Sequence, residues 1–236
     1  MNQEAHVTGH ISKRFDQELE DIRNQVLAMG GLVETQVNNG IRALVEADSQ
    51  IAESVVSNDH KVNRMEVDID ERCVQILARR QPAAGDLRLV VAIIKTITDL
   101  ERIGDQAEKL GRNQLELMQS GVNSGTFVQL EHLGEHVSKM LHSALDAFAR
   151  MNVEDAMKTI EMDNKVNAEF ESLSRELITY MMEDPRTIKS AIRISWSARA
   201  LERIGDHAKN ICEYVIFLVL GKDVRHVDAA DELDLS

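Results

Sequence analysis

The hexapeptide Leu-Glu-Arg-Ile-Gly-Asp occurs twice in this chain, at residues 100–105 and 201–206, an offset of 101 residues from Glu101 to Glu202. A second string, Asp-x-Lys-Val-Asn, is also repeated, at residues 59–63 and 163–167. The four strings alternate along the chain, so whatever unit holds the first pair is built again for the second. A duplicated unit of about a hundred residues is long enough for three antiparallel helices and a core of its own.

The spacing of apolar residues gives those helices. Phe15, Leu19, Ile22, Val26, Met29, Val33, Val37, Ile41 and Leu44 recur at three and four residues, the period of one long amphipathic helix. Gly30, Gly31 and Gly40 weaken it by about 1 kcal/mol each and make local kinking an expectation. A second helix starts near Asp48, a good N-cap, and stops before Gln81-Pro82. A third follows an Ala-Ala-Gly-Asp loop at residues 83–86, carrying Leu87, Val90, Ile94, Ile97, Leu100 and Leu110. The Gly-Val-Asn-Ser-Gly stretch at 121–125 reads as a linker. Beyond it the pattern restarts, with a fourth helix through Phe148, a fifth over about 153–182 and a sixth over about 187–220. The expected fold is all-α: two tandem homologous three-helix bundles, residues 12–121 and 122–222, between an N-terminal tail (1–11) and an acidic C-terminal tail (223–236).

Composition excludes several classes. The net charge of −13 sets the bulk surface against nucleic acid and anionic membranes. The longest apolar run, residues 215–220, is far short of a membrane span and reads as a buried terminal turn, with a dimer contact as its alternative. The amino terminus, MNQEAHVTGHISKRF, has no apolar core of a secretory signal, so the expected location is cytoplasmic. Cys73 and Cys212 fall inside helical patterns and are expected to be reduced core thiols.

Glu101 with Asp105, and Glu202 with Asp206, stand four residues apart, so each pair shares one helical face. Two carboxylates at the edge of an apolar stripe repel one another and lose solvation, costs that a bound cation relieves. Oxygen-only ligation favours hard ions such as magnesium, manganese, calcium or ferric iron. Glu66 and Asp70 on the second helix, with Asp59 and Asn63 before them, make a matching set across an antiparallel groove. The second unit keeps Asp163, Asn167, Glu169 and Glu171 but no carboxylate equivalent to Asp70. The same spacing is common on solvated acidic helices, where Lys109 and Arg203 would simply pair with Asp105 and Asp206. Two identical mid-helix glycines, each costly to the helix, point instead to a close helix–helix or subunit contact. His132 and His136 are four apart and could pair on a metal, but surface histidines on an acidic helix are the expected reading. No histidine follows a glutamate by three, which disfavours a di-iron oxidase. Glycine-rich phosphate loops and recognisable nucleophile sets are missing, so no enzyme is expected.

These strings resemble the PhoU family. The resemblance rests on both LERIGD motifs and on RRQPAAGDLRLV (79–90), MGGLVETQV (29–37), MEVDIDERC (65–73), LDAFARM (145–151) and YMMEDPRTI (180–188). It covers residues 11–233 and implies two homologous three-helix bundles in a cytoplasmic, usually dimeric protein. It further implies a negative regulator of the phosphate regulon and of phosphate-specific ABC transport. Such a protein is a non-enzymatic adaptor between the transporter's ATP-binding subunit and the phosphate-sensing histidine kinase. Some members carry multinuclear clusters (iron, manganese, zinc or magnesium are the expected ions). Carried over, that points to Glu66, Asp70, Glu101, Asp105, Glu202 and Asp206. The rival is a metal-storing or redox-active carboxylate bundle; a plain helical scaffold is the third. Arg150 in LDAFARM marks an apolar-basic edge as a partner-surface candidate.

Overall fold

The computed structural model describes residues 13–119 and 128–224; both tails and the linker at 121–125 lie outside the described residues. Six α-helices fill these segments: α1 (Lys13–Glu46), α2 (Ser49–Arg80), α3 (Ala84–Gln119), α4 (Val128–Arg150), α5 (Val153–Glu183) and α6 (Ile188–Leu220). A 3-10 turn, Pro185–Thr187, joins α5 to α6. None of the described helices is long and apolar enough to cross a membrane.

Local chemistry sets the helix ends. Ala47 takes a left-handed φ of 53°, and the Asp48 carboxylate then accepts from the N–H groups of Gln50 and Ile51 at 2.8 and 3.1 Å. The second unit repeats the device: Met151 has φ 53°, and the Asn152 side chain accepts from the Asp155 N–H at 3.2 Å. Gln81, at φ 46°, and Pro82 end α2. The expected Ala-Ala-Gly-Asp loop is shorter in the structure. Ala84, Gly85 and Asp86 already form the first turn of α3, where Leu87 N–H donates to Ala83 C=O at 2.8 Å. An aspartate in a first turn suits the positive end of the helix dipole. Gly221, at φ 72°, closes α6 with its N–H on Phe217 C=O.

Helix α3 packs on α1 and α2, α6 on α4 and α5, and the two triads meet chiefly along α3 and α6. Residue numbers of paired positions there add to 309 at both ends, Glu116 with Arg193 and Arg88 with Gly221, so the helices run antiparallel. Gly104 and Gly205, equivalent in the repeats, add to 309 as well. An approximate two-fold relating the units therefore passes through the α3–α6 contact at the level of these glycines. On the other side of the molecule α1 meets α4 by the same symmetry. A Cβ on Gly30 would stand 2.7 Å from Leu145, and one on Gly134 would stand 2.8 Å from Ile41, each glycine admitting the other unit's aliphatic side chain. Helix α1 thus runs unbroken through Gly30, Gly31 and Gly40. Ile22, Met29, Leu44, Ile69, Ile97 and Leu133 are among the fully buried side chains, each worth about 1.5–3 kcal/mol of burial. Of the run 215–220, only Val215 and Ile216 are buried; Val219 and Leu220 are exposed.

Candidate functional site

The two repeated strings turn out to be opposite sides of one contact. A Cβ on Gly104 would meet Val62 at 3.2 Å, and one on Gly205 would meet Val166 at 3.3 Å. Each glycine of Leu-Glu-Arg-Ile-Gly-Asp therefore seats the valine of Asp-x-Lys-Val-Asn. The close approach draws the acidic residues on either side of that contact together.

In the first unit Asp59 and Glu66 of α2 face Glu101, Asp105 and Glu108 of α3. Burial holds the Glu101 carboxyl above the usual glutamate range, and the charges of Asp105, Glu66 and Asp59 push it further up, against Arg102. Glu66 is raised by burial and then by Asp70 and Asp105, and Asp59 by burial and then by Glu108 and Asp105. Asp70 joins only through Glu66, one turn away. Asn63 Nδ2 donates to Asp59 Oδ2 at 3.2 Å, while the Oδ1 atoms of both residues are buried without a partner.

The second unit has the same frame and a different charge. Asn167 Nδ2 donates to Asp163 Oδ2 at 3.2 Å, as in the first unit. Lys209 Nζ also donates to that oxygen, at 3.1 Å, and Arg199 donates to Glu202 Oε1 at 2.6 Å. Lys209 occupies the position equivalent to Glu108, Phe170 that of Glu66 and Ser174 that of Asp70. Burial, then Asp206, raises Glu202 against Arg199; burial, then Asp163, raises Asp206 against His207, Arg199 and Lys209. Asp163 and Glu202 are only 5% and 8% exposed, and each leaves one oxygen, Asp163 Oδ1 and Glu202 Oε2, buried without a partner.

Glu169 and Glu171 do not belong to this cluster. Glu169 accepts from His136 Nδ1 at 2.7 Å, and Glu171 pairs on the surface with Arg175. Arg150 is exposed and paired with Asp146 at 2.9 Å. Both cysteines are free and buried, and burial pushes each thiol up to about 12, so neither is a ready thiolate. The roles of Glu108, Lys209, Arg199 and Phe170 were missed in the sequence. The repeat offset carried the signal, because Glu108 and Lys209 are equivalents of opposite charge.

The PhoU domain model matches the chain twice, over residues 26–113 and 130–215. The chain belongs to the PhoU family. Relatives include the phosphate-specific transport system accessory protein PhoU homolog of Pseudomonas aeruginosa, 52% identical over 94% of this chain and 91% of that protein. The Escherichia coli protein named phosphate-specific transport system accessory protein PhoU is 52% identical over 95% and 92%. The crystal structure of PhoU from P. aeruginosa superposes with a TM-score of 0.86, covering 88% of this chain and all of the other. That of the phosphate transport system regulatory protein PhoU from Streptococcus pneumoniae, 30% identical, gives 0.82 over 89% and 99%. Both PhoU matches fall inside the two three-helix units.

The first unit of this PhoU-family chain suits a hard cation in its chemistry, with oxygen donors only, mutual repulsion and buried oxygens without partners. In the second unit Lys209 and Arg199 already donate to Asp163 and Glu202, leaving one buried oxygen of each without a partner. The geometry is open. Among the described residues no three histidine, cysteine, aspartate or glutamate side chains converge closely enough to hold an ion, so binding would require these carboxylates to draw together.

Proposed function

We propose that this PhoU-family chain is a non-enzymatic accessory regulator of phosphate-specific transport, acting in the cytoplasm as a homodimer. It restrains the phosphate regulon when phosphate is plentiful by binding the transporter's ATP-binding subunit and the phosphate-sensing histidine kinase. The observation that carries this reading is the 52% identity, over more than nine-tenths of both chains, to proteins named as phosphate-specific transport accessory proteins. Those names support a regulator and lend nothing to a metal store. An adaptor moves an equilibrium only by binding two partner states with different affinity, and six long helices offer wide surfaces for that purpose.

The acidic clusters are the cation-responsive part of the reading. Glu66, Glu101, Asp105 and Asp59 would hold an ion in the first unit, and Glu202, Asp206 and Asp163 in the second. A bound cation would supply charge neutralisation between α2 and α3 or between α5 and α6, and so tighten helices that carboxylate repulsion loosens. Asp70, one turn beyond Glu66, is a contributor at the edge.

A phosphate-regulated reporter in a deletion strain tests this directly. Wild type should restore repression. Loss of both metal and repression in a folded Glu101→Gln/Asp105→Asn/Glu202→Gln/Asp206→Asn variant would make the clusters a functional site. Normal repression by that variant would leave the function to the partner surfaces alone. A wild-type chain that does not repress would overturn the regulatory reading.

A further inference from the structure

The α5–α6 face of the second unit is built differently from its repeat equivalent. Arg199 lies over the Phe170 ring (5.7 Å), Val166 fits Gly205 and Lys209 reaches Asp163, which fixes α5 and α6 in antiparallel register. That register sets Ile178 level with Ile192 and Met182 level with Ile188. All four are exposed, Met182 at 79% and Ile178 at 53%. Trp196, the sole tryptophan of the chain, follows at the next turn and is 52% exposed. In the first unit the equivalent positions hold Val74, Ala78, Leu87, Val91 and Lys95, beside Glu66 and Asp70. Val74 and Leu87 are exposed there too, so what the duplicate without those two carboxylates gained is Met182 in place of Ala78 and Trp196 in place of Lys95.

Charge sharpens the contrast. From Ile188 to Arg203 this helix carries Lys189, Arg193, Arg199 and Arg203, in a chain of net charge −13. Arg193 is paired with Glu116 of α3 and Arg199 with Glu202, which leaves Lys189 and Arg203 to meet a partner's charge. Arg193 also stacks on Trp196, 4.4 Å from its ring centre. An aromatic anchor beside arginines is the composition of an interface centre. The three α6 apolar residues are spaced four apart over about 12 Å, the footprint of two turns of another helix laid in the seam.

We propose that the α5–α6 seam is a docking surface for an acidic amphipathic helix of a partner protein, with Ile178, Met182, Ile188, Ile192 and Trp196 taking its apolar face and Lys189 and Arg203 its carboxylates. The biological owner of that helix rests on the adaptor reading; the surface and its chemistry do not. An anionic membrane fits less well. Glu171 of α5 is exposed on the same side as Ile178 and would face the lipid charge, whereas pairing with a narrow helix acts within a screening length of about 8 Å.

The test uses Trp196 as its own reporter. The full chain is titrated with a synthetic amphipathic helix of about 18 residues, leucine on one face, glutamate on the other and no tryptophan. A saturable blue shift is expected, weakening as salt rises. Met182→Asp/Ile192→Asp should weaken binding at least about tenfold, and Lys189→Glu/Arg203→Glu should remove the salt dependence, with helicity unchanged in both. Absence of a saturable shift, or equal binding by the apolar variant, overturns the proposal. So does a shift with phosphatidylglycerol vesicles and none with peptide, which makes the seam a membrane contact. Conversion of a dimer to monomer by Ile192→Asp, with no peptide binding to wild type, makes the occupant a second copy and overturns it too. If neither the ATP-binding subunit nor the kinase binds wild type while the peptide does, the adaptor reading fails and the surface stands. If both partners bind the apolar variant as tightly as wild type and the peptide binds neither protein, the surface fails and the adaptor stands.

Discussion

A methyl group added at Gly31 would meet nothing within 4 Å, whereas one added at Gly111 would stand 2.9 Å from the Ala52 carbonyl oxygen and 3.1 Å from Val56. The two glycines cost their helices the same backbone entropy, so the difference lies entirely in what faces them. Gly31→Ala should raise stability by about 1 kcal/mol, the helix-propensity gain, or about 2–4 °C in Tm for a chain of this size. Gly111→Ala asks backbone to move rather than a flexible side-chain end, and should lower stability by about 1–3 kcal/mol despite the same gain. Urea unfolding of the two variants beside wild type checks both signs; two shifts of the same sign would mean the α2–α3 approach is looser than described. Gly104 belongs with Gly111, because it receives Val62. The sequence had already marked it as a contact glycine, since the same costly residue stands in both copies.

At the scale of the helix, the seam between α3 and α6 holds a polar knot that periodicity does not reveal. Asp99 is 2% exposed and accepts from three residues of α6: His207 Nδ1 at 2.7 Å, Tyr214 Oη at 2.8 Å and Asn210 Nδ2 at 3.3 Å. Removing the carboxylate strands the buried His207 donor and two half-buried ones, so Asp99→Ala should cost about 3–5 kcal/mol. Tyr214→Phe, which leaves the other two bonds, should cost about 1–2 kcal/mol. Denaturant melts of both test this, and near-equal losses would contradict the assigned geometry. Nothing in the apolar spacing marks the aspartate ahead of Leu100. Its repeat equivalent is Ala200 and that of His207 is Gln106, so only the mismatch between copies pointed to a contact joining the units. The rest of the helical plan was legible. Apolar spacing placed all six helices to within a few residues, and Asp48 capped where expected. The start of α3 was misplaced because Gly-Asp after Ala-Ala has loop chemistry, while Gln81 and Pro82 had already made the break. Which side chains neutralise which carboxylates was not legible. That depends on helix faces meeting across 46 residues, as Lys209 and Asp163 do.

Across the whole molecule, charge is distributed so that stability and acidity are linked. Glu66, Glu101 and Glu202 all titrate above the ordinary glutamate value of 4.5, and Asp59 and Asp206 above the ordinary aspartate value of 3.8, burial being the first cause in each. A carboxyl raised in the folded state binds its proton more tightly there than in the unfolded chain. Its contribution is therefore fully present below the unfolded value and is lost as pH rises through the folded one. The cation-paired Glu18 and Asp184, both half-exposed, and the exposed Glu154 are lowered and act in the opposite sense below the ordinary range. Being on the surface, they weigh little. In metal-free buffer, Tm should therefore rise as pH falls from neutral toward the ordinary carboxyl values, and turn down only below them. Glu101→Gln/Glu202→Gln removes two of the raised groups, so its Tm should exceed wild type at neutral pH and vary less with pH. Manganese, supplying the missing positive charge, should raise wild type at neutral pH and do less for the variant. Calorimetry across pH, with and without the ion, reads all three effects together. A wild-type Tm that falls steadily from neutral pH downward would mean that surface ion pairs, and not the two half-buried acidic clusters, govern this fold.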